Sequence, residues 1–199
     1  MSAMNRTFRR RRRRRIRPLR FVLILIFLAA LVWFGFKGYS KLRTIIYPRE
    51  YSALVMQYSA ENGLDADFVY AVIKCESGFN KDAVSPVGAK GLMQLTDDTF
   101  EWVQTKSDSQ TLLTAEQLFD PETNIKHGTL LLKLNLDTYG GKREALVAYH
   151  AGRTKLANWL EEPQYSKDGH TLDEIPYKDT ESYVNLVLDT EQKYKTIYK

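Results

Sequence analysis

Phe21 to Phe36 reads FVLILIFLAALVWFGF, sixteen consecutive residues without a charge or a proline. A run this apolar must lie in a protein core or in a lipid bilayer. As a helix it spans about 24 Å, against about 30 Å of hydrocarbon. Leu19 and the stems of Arg20 and Lys37 extend it by snorkelling. Trp33, and Tyr39 just beyond, suit an outer interface. The preceding residues decide between core and bilayer. Residues 1–20 contain ten arginines, unbroken from Arg9 to Arg15, and no acid. Such an arm does not fit beside a buried core helix. It does orient a membrane segment, because basic residues stay on the cytoplasmic side.

A cleavable signal peptide requires small residues after its apolar run. Here Ala29-Ala30 lie inside the run, and Trp33, Phe34 and Phe36 follow. The expectation is an uncleaved, single-pass anchor in the cell membrane. It comprises a cytoplasmic arginine-rich arm over residues 1–20, a transmembrane segment over 21–36 and a connector over 37–48. Residues 49–199 form a domain outside the membrane, extracellular or periplasmic.

That division changes the meaning of the net charge of +5. Residues 50–199 hold 15 Lys and Arg against all 24 Asp and Glu. The domain is acidic, and an acidic domain is a poor partner for nucleic acid. The arm is expected to set topology and attract anionic lipid. The single cysteine, Cys75, excludes an internal disulfide. Its place on an apolar helix face marks it as packing.

Helical signals follow one another through the domain. Tyr51, Leu54, Val55 and Tyr58 have the spacing of an amphipathic helix, stopped by Asn62-Gly63. Asp65 is a natural N-cap for a second helix with Phe68, Ala71, Val72 and Cys75 on its inner face, ended by Gly78. Asn80 to Lys90 has the composition of a loop. Thr96, with Asp97 and Asp98 behind it, starts another helix with Phe100 and Val103 inside. Lys106 to Thr111 is a polar loop. Asp120-Pro121-Glu122 is a strong helix start, and Gly140-Gly141 its stop. Arg143 to Tyr149, the segment around Leu156 and Trp159, and Thr180 to Tyr194 complete the set. No run alternates strictly, so no strand is expected. The prediction is a mostly α domain of about seven short helices.

Three stretches hold residues suited to chemistry. Glu76 falls in the last turn of the second helix, at the negative end of its dipole and beside Phe79. Both surroundings disfavour the anion and suit a general acid. Gly91-Leu92-Met93-Gln94-Leu95 combines close backbone approach, adaptable apolar surface and an amide, a mixture that suits a sugar. In Ala148-Tyr149-His150-Ala151-Gly152, Tyr149 can stack on a sugar or bond Glu76, and His150 can meet an N-acetyl group. The three histidines (127, 150 and 170) lack metal-ligand spacing. Neither a GxSxG nucleophile elbow nor a phosphate-binding glycine loop is present, so no metal and no cofactor are expected. A two-carboxylate glycosidase needs a second acid. Asp82, Asp97 and Asp98 are the nearby candidates. Asp97 and Asp98 read better as first-turn helix charges and Asp82 as a loop residue, which favours a single-acid mechanism.

Taken in order, these stretches resemble the lytic transglycosylase domain of the soluble (SLT), lysozyme-like type, in a membrane-anchored form. The resemblance covers roughly residues 50–190. It rests on Glu76-Ser77 with Phe79-Asn80, Ser85-Pro86-Val87-Gly88-Ala89, Gly91 to Leu95, Asn124-Ile125 with Gly128, Ala148 to Gly152, Ile175-Pro176 and Tyr183-Val184. It implies a lysozyme-like (goose-type/transglycosylase) helical domain. It also implies cleavage of the β-1,4 bond between N-acetylmuramic acid and N-acetylglucosamine in peptidoglycan glycan strands, without water, leaving 1,6-anhydromuramoyl ends. Glu76 would be general acid and then base. Ser85, Met93, Gln94, Tyr149 and His150 would line the sugar subsites, with Tyr183 near the acid. His150 stands where the family usually has Asn. A hydrolytic muramidase, or a wall-binding assembly protein without activity, remain the alternatives. No protein partner is indicated.

Overall fold

The computed structural model describes residues 18–107 and 112–199. The arginine arm before residue 18 and the 108–111 part of the polar loop lie outside the described residues. Two compact units divide at Ile45/Ile46, and each is described by itself.

The first unit is a helix, α1 (Pro18–Ile46). Its apolar side chains are exposed from Phe21 to Phe34, including Phe27, Val32 and Trp33. Lys37, Lys41 and Arg43 occupy its second half. Among the described residues, no helix is long and apolar enough to cross a membrane.

The second unit is helical. It contains α2 (Ser52–Glu61), α3 (Ala66–Glu76), α4 (Asp97–Gln104), a 3₁₀ turn (Ala115–Phe119), α5 (Pro121–Tyr139), α6 (Lys142–Ala151), α7 (Arg153–Glu161) and α8 (Lys178–Ile197). No strand occurs among the described residues. Two isolated bridges, Val84 to Lys90 and Lys90 to Leu95, fold the 80–95 segment onto itself.

The helix starts have the expected chemistry. The side chains of Asp65, Thr96 and Asp120 accept from the backbone N–H of Asp67, Thr99 and Thr123. Each satisfies one of the orphan donors that a helix leaves at its first turn.

Helix α3 is the axis of the domain. Six consecutive residues, Phe68 to Ile73, are buried. Burial on every face, not along one stripe, is the mark of a central helix. Each large side chain buried there is worth about 1.5–3 kcal/mol of transfer free energy. Helix α8 packs along α3, while α5 packs on α6 and α2. Buried Glu191 on α8 pairs with Lys142 and Lys195, and Lys195 reaches Asp65 at the start of α3. A second, smaller apolar cluster holds Leu95, Phe100, Val103, Leu118 and Leu131, and Tyr149 packs against both clusters. The groove opens at that seam.

Candidate active site

Glu76 is the last residue of α3. The chain leaves the helix through Gly78 at φ 58° and Phe79 at φ 71°. The left-handed conformation is free for Gly78 and strained for Phe79. The ring of Phe79, 5 % exposed in the core, holds that conformation in place. Ser77 then stitches the helix end to the next stretch. Its hydroxyl donates to the Leu92 carbonyl (2.8 Å) and accepts from the Phe79 N–H (3.1 Å).

The 91–95 stretch is built around Asn124 of α5. Its side chain, fully buried, accepts from the Met93 N–H (2.7 Å) and donates to the Lys90 (3.0 Å) and Leu118 (2.8 Å) carbonyls. Gly91 is required here. Its φ is +75°, and a Cβ would lie 2.2 Å from Asn124 Nδ2 and 2.3 Å from the Leu118 oxygen. Gln94 takes a left-handed φ of 49° and donates to the Ala83 and Gly91 carbonyls.

A cavity of about 240 Å³ results, lined by Glu76, Ser85, Gln94, Tyr149 and His150 together with Val87, Ala89, Leu95, Thr96, Thr99 and Leu131. Five of the seven expected site residues therefore meet at one wall. Tyr183, from α8, joins them by donating its hydroxyl to Glu76 Oε1 (2.5 Å). Met93 does not line the cavity. Its side chain is fully buried, with Sδ only 2.4 Å from the place a Cβ would occupy on Gly128. Only its carbonyl reaches the site, accepting from the Tyr149 hydroxyl (2.6 Å). The hydroxyl bonded to the acid is thus that of Tyr183, while Tyr149 braces the loop. His150 stacks on Tyr183, ring centroids 4.4 Å apart, with Nδ1 3.2 Å from Thr180 Oγ1.

Thr96, Thr99 and Leu131 were not singled out for the cavity wall. Thr96 was legible only as a helix cap, and nothing local marks the other two. A second cavity of about 330 Å³ shares Thr99, Leu131 and Tyr149 with the first and adds Asp98, Trp102 and Arg153. The two adjoin through these shared residues.

Burial raises the Glu76 carboxyl from its ordinary range to about 7, and the Tyr183 hydrogen bond opposes this only in part. The carboxyl is therefore protonated at mildly acidic pH. Burial, with the Glu76 charge nearby, holds the Tyr149 and Tyr183 hydroxyls well above their usual range. Burial also raises the Cys75 thiol, which keeps it protonated and inert. Among the described residues, Glu76 is the only carboxylate lining its cavity. Asp82 pairs with Lys81 and Asp97 with Lys90, both acids being solvent-exposed. No described cluster of His, Cys, Asp or Glu could hold a metal ion.

Residues 53–171, more than half of the chain, match the family model for the transglycosylase SLT domain. The chain belongs to the SLT transglycosylase family. It is 30% identical over 151 residues to the soluble lytic murein transglycosylase of Escherichia coli K12, covering 75% of this chain and 23% of that protein. It is 36% identical over 95 residues to the membrane-bound lytic murein transglycosylase C of Photorhabdus laumondii, covering 45% and 26%. Among solved structures, an inactive Glu-to-Gln mutant of the lytic transglycosylase Slt from Pseudomonas aeruginosa superposes with a TM-score of 0.67. The identity there is 30%, over 77% of this chain and 25% of that one. The SLT fold is thus shared, while this chain spans about a quarter of the length of these relatives.

Proposed function

We propose that this SLT-family domain is a lytic transglycosylase acting on peptidoglycan, with Glu76 as its only acid–base group. The observation that carries this is a buried carboxyl with a raised pKa, the only described carboxylate lining its own cavity; Asp98, in the adjoining cavity, is solvent-exposed in the first turn of α4. Retaining and inverting glycosidases need a second carboxylate about 5–5.5 Å or 6.5–9.5 Å away. A lone acid must instead supply both proton transfers.

In this mechanism protonated Glu76 gives its proton to the oxygen linking N-acetylmuramic acid to N-acetylglucosamine, and the bond from that oxygen to C1 breaks. The resulting carboxylate then takes the proton of the muramoyl 6-hydroxyl as O6 closes onto C1. A 1,6-anhydro ring forms, no water is consumed, and Glu76 ends protonated. Tyr183 steadies the carboxylate between the steps. Ser85, Gln94, Tyr149 and His150 are assigned to the sugar-binding wall, and Met93 contributes through its carbonyl. The relatives named above are lytic murein transglycosylases, and in one a Glu-to-Gln change accompanies loss of activity, which supports this assignment.

On the same reading the chain divides into an arm (1–20), an anchor (21–36), a connector (37–48) and a catalytic domain (49–199). Exposed apolar side chains from Phe21 to Phe34 favour lipid contact, although no described helix is itself long and apolar enough to cross a membrane. The positive arm favours a cytoplasmic N-terminus, which puts the domain on the side of the membrane where peptidoglycan lies.

Mass spectrometry of digested peptidoglycan tests the proposal. Anhydromuramoyl ends are expected from the wild type, and Glu76→Gln should produce none. Reducing ends would instead identify a hydrolytic muramidase. Full cellular function in Glu76→Gln would favour an inactive wall-binding protein.

A further inference from the structure

His150 has no role in the two proton transfers, yet it lies within the same cluster. Its ring is stacked on Tyr183 at an interplanar angle of 25°. Its Nδ1 meets the hydroxyl of Thr180, which is 1 % exposed in the first turn of α8. Tyr183, on the same helix as Thr180, donates to Glu76. Thr180, His150, Tyr183 and Glu76 therefore form a continuous line from α8 to α6, back to α8 and on to the end of α3. The ring of Tyr183 has two rotatable bonds, and its hydroxyl meets Oε1 only in a narrow range of orientations. The planar face of His150 restricts that range.

We propose that His150 is a positioning residue: by stacking on Tyr183 it holds the hydroxyl that supports the Glu76 carboxylate. This rests on Glu76 being the acid of the proposed reaction. It gives the histidine a purpose that a side chain without a ring, such as the usual Asn, could not serve.

The charged surroundings are consistent with a neutral ring. Burial and Lys155 lower the His150 pKa, and Asp179 opposes them. Tyr183 is faced by Glu76 and Cys75 from α3 and by Tyr149 from α6. Near neutral pH the stack is therefore between two uncharged rings, and what it transmits is orientation.

The test is the titration of Glu76 itself, followed by its carboxyl 13C resonance in the full-length protein in detergent micelles. The resonance is assigned by its absence from Glu76→Gln. Between about pH 6 and pH 9, a hydrogen bond to the carboxylate favours the charged form. Loosening Tyr183 should therefore move the titration upward. Tyr183→Phe is expected to raise the midpoint by about half a unit or more. His150→Ala should move it in the same direction, and His150→Gln, which keeps a polar group but no ring, should follow it. His150→Phe, which keeps the ring but not the contact to Thr180, should restore the wild-type midpoint. Removing the ring also admits water, which lowers a carboxyl pKa, so the double variant is decisive. In the Tyr183→Phe background, His150→Ala should give no further rise.

Shifts that simply add in the double variant, so that His150→Ala moves the midpoint equally with and without the Tyr183 hydroxyl, would overturn the proposal. The titration needs no turnover. Coupled titrations without anhydro products would therefore refute the assigned reaction alone, while anhydro products with uncoupled titrations would refute the role of His150 alone.

Discussion

The Glu76 carboxyl should make the domain less stable as pH rises from about 4.5 to about 7, and the size of the effect follows from its environment. Burial raises its pKa from 4.5 to about 7 in the folded chain. The unfolded chain returns it to water and to the lower value. Between those two pH values the folded state holds more of this proton than the unfolded state. Stability from this group is therefore fully present below about pH 4.5 and is lost as pH climbs through about 7. Against an unperturbed carboxyl, the loss is about 1 kcal/mol at pH 5, about 2 kcal/mol at pH 6 and about 3 kcal/mol at pH 8.

Glu76→Gln isolates this contribution. The amide has the size of the protonated acid, cannot ionise, and can still accept from the Tyr183 hydroxyl. Wild type and variant should be equally stable near pH 4.5, and the variant should gain steadily to about 3 kcal/mol at pH 8. Groups that do not feel the Glu76 charge titrate alike in both proteins and cancel in the difference, and the Tyr149 and Tyr183 hydroxyls, which do feel it, stay protonated across this range. Urea unfolding of the full-length protein in micelles measures it, with Trp102 and Trp159 as fluorescent reporters in the domain. A stability difference that is flat from mildly acidic to mildly basic pH would refute the reasoning. It would mean that Glu76 is hydrated like a surface carboxyl, and the argument for a protonated acid at rest would fail with it.

Three further substitutions probe the scaffold. Gly91→Ala should cost more than about 3 kcal/mol, because backbone and a buried amide both occupy the place of its Cβ; the melting temperature reports it. Asn124→Ala removes three hydrogen bonds to buried backbone groups and should cost about 3 kcal/mol or more. It should also lower activity by releasing the Met93 N–H and so loosening the segment whose carbonyl Tyr149 holds, measured as turnover per folded molecule. Asp120→Ala removes only the cap of α5 and should cost about 1 kcal/mol, leaving turnover per folded molecule unchanged.

The fold was legible wherever its cause is local. Asp65, Thr96 and Asp120 cap helices because a short acceptor before an apolar-periodic run has few other uses, and each makes the expected bond. The glycine stops after Glu76 and Tyr139 are local in the same way. The 3₁₀ turn over Ala115–Phe119 escaped notice because five residues carry no period. The site was legible as a set of residues and not as a set of contacts. Met93 was expected at the cavity wall on composition, but Gly128, 35 positions later, leaves space for its side chain inside the core. The choice of Tyr183 over Tyr149 as partner to the acid depends on how α8 lies along α3. No spacing within either helix encodes that.

One group that acts first as acid and then as base requires its two protonation states to be nearly equal in free energy at the working pH. Three influences on Glu76 set that balance. Burial opposes the carboxylate. The negative C-terminal end of the α3 dipole opposes it as well. The Tyr183 hydroxyl supports it. Burial outweighs the hydrogen bond, so the resting group holds a proton and can donate it. If burial acted alone, the carboxylate left behind would be costly and the second transfer would give little return for the first. The hydrogen bond lowers that cost without supplying a full positive charge, which would drive the pKa back toward that of a surface acid and remove the proton before catalysis. A neutral donor whose own ionisation is suppressed is therefore better suited here than an arginine or lysine, and Tyr183, raised well above its usual range, is such a donor.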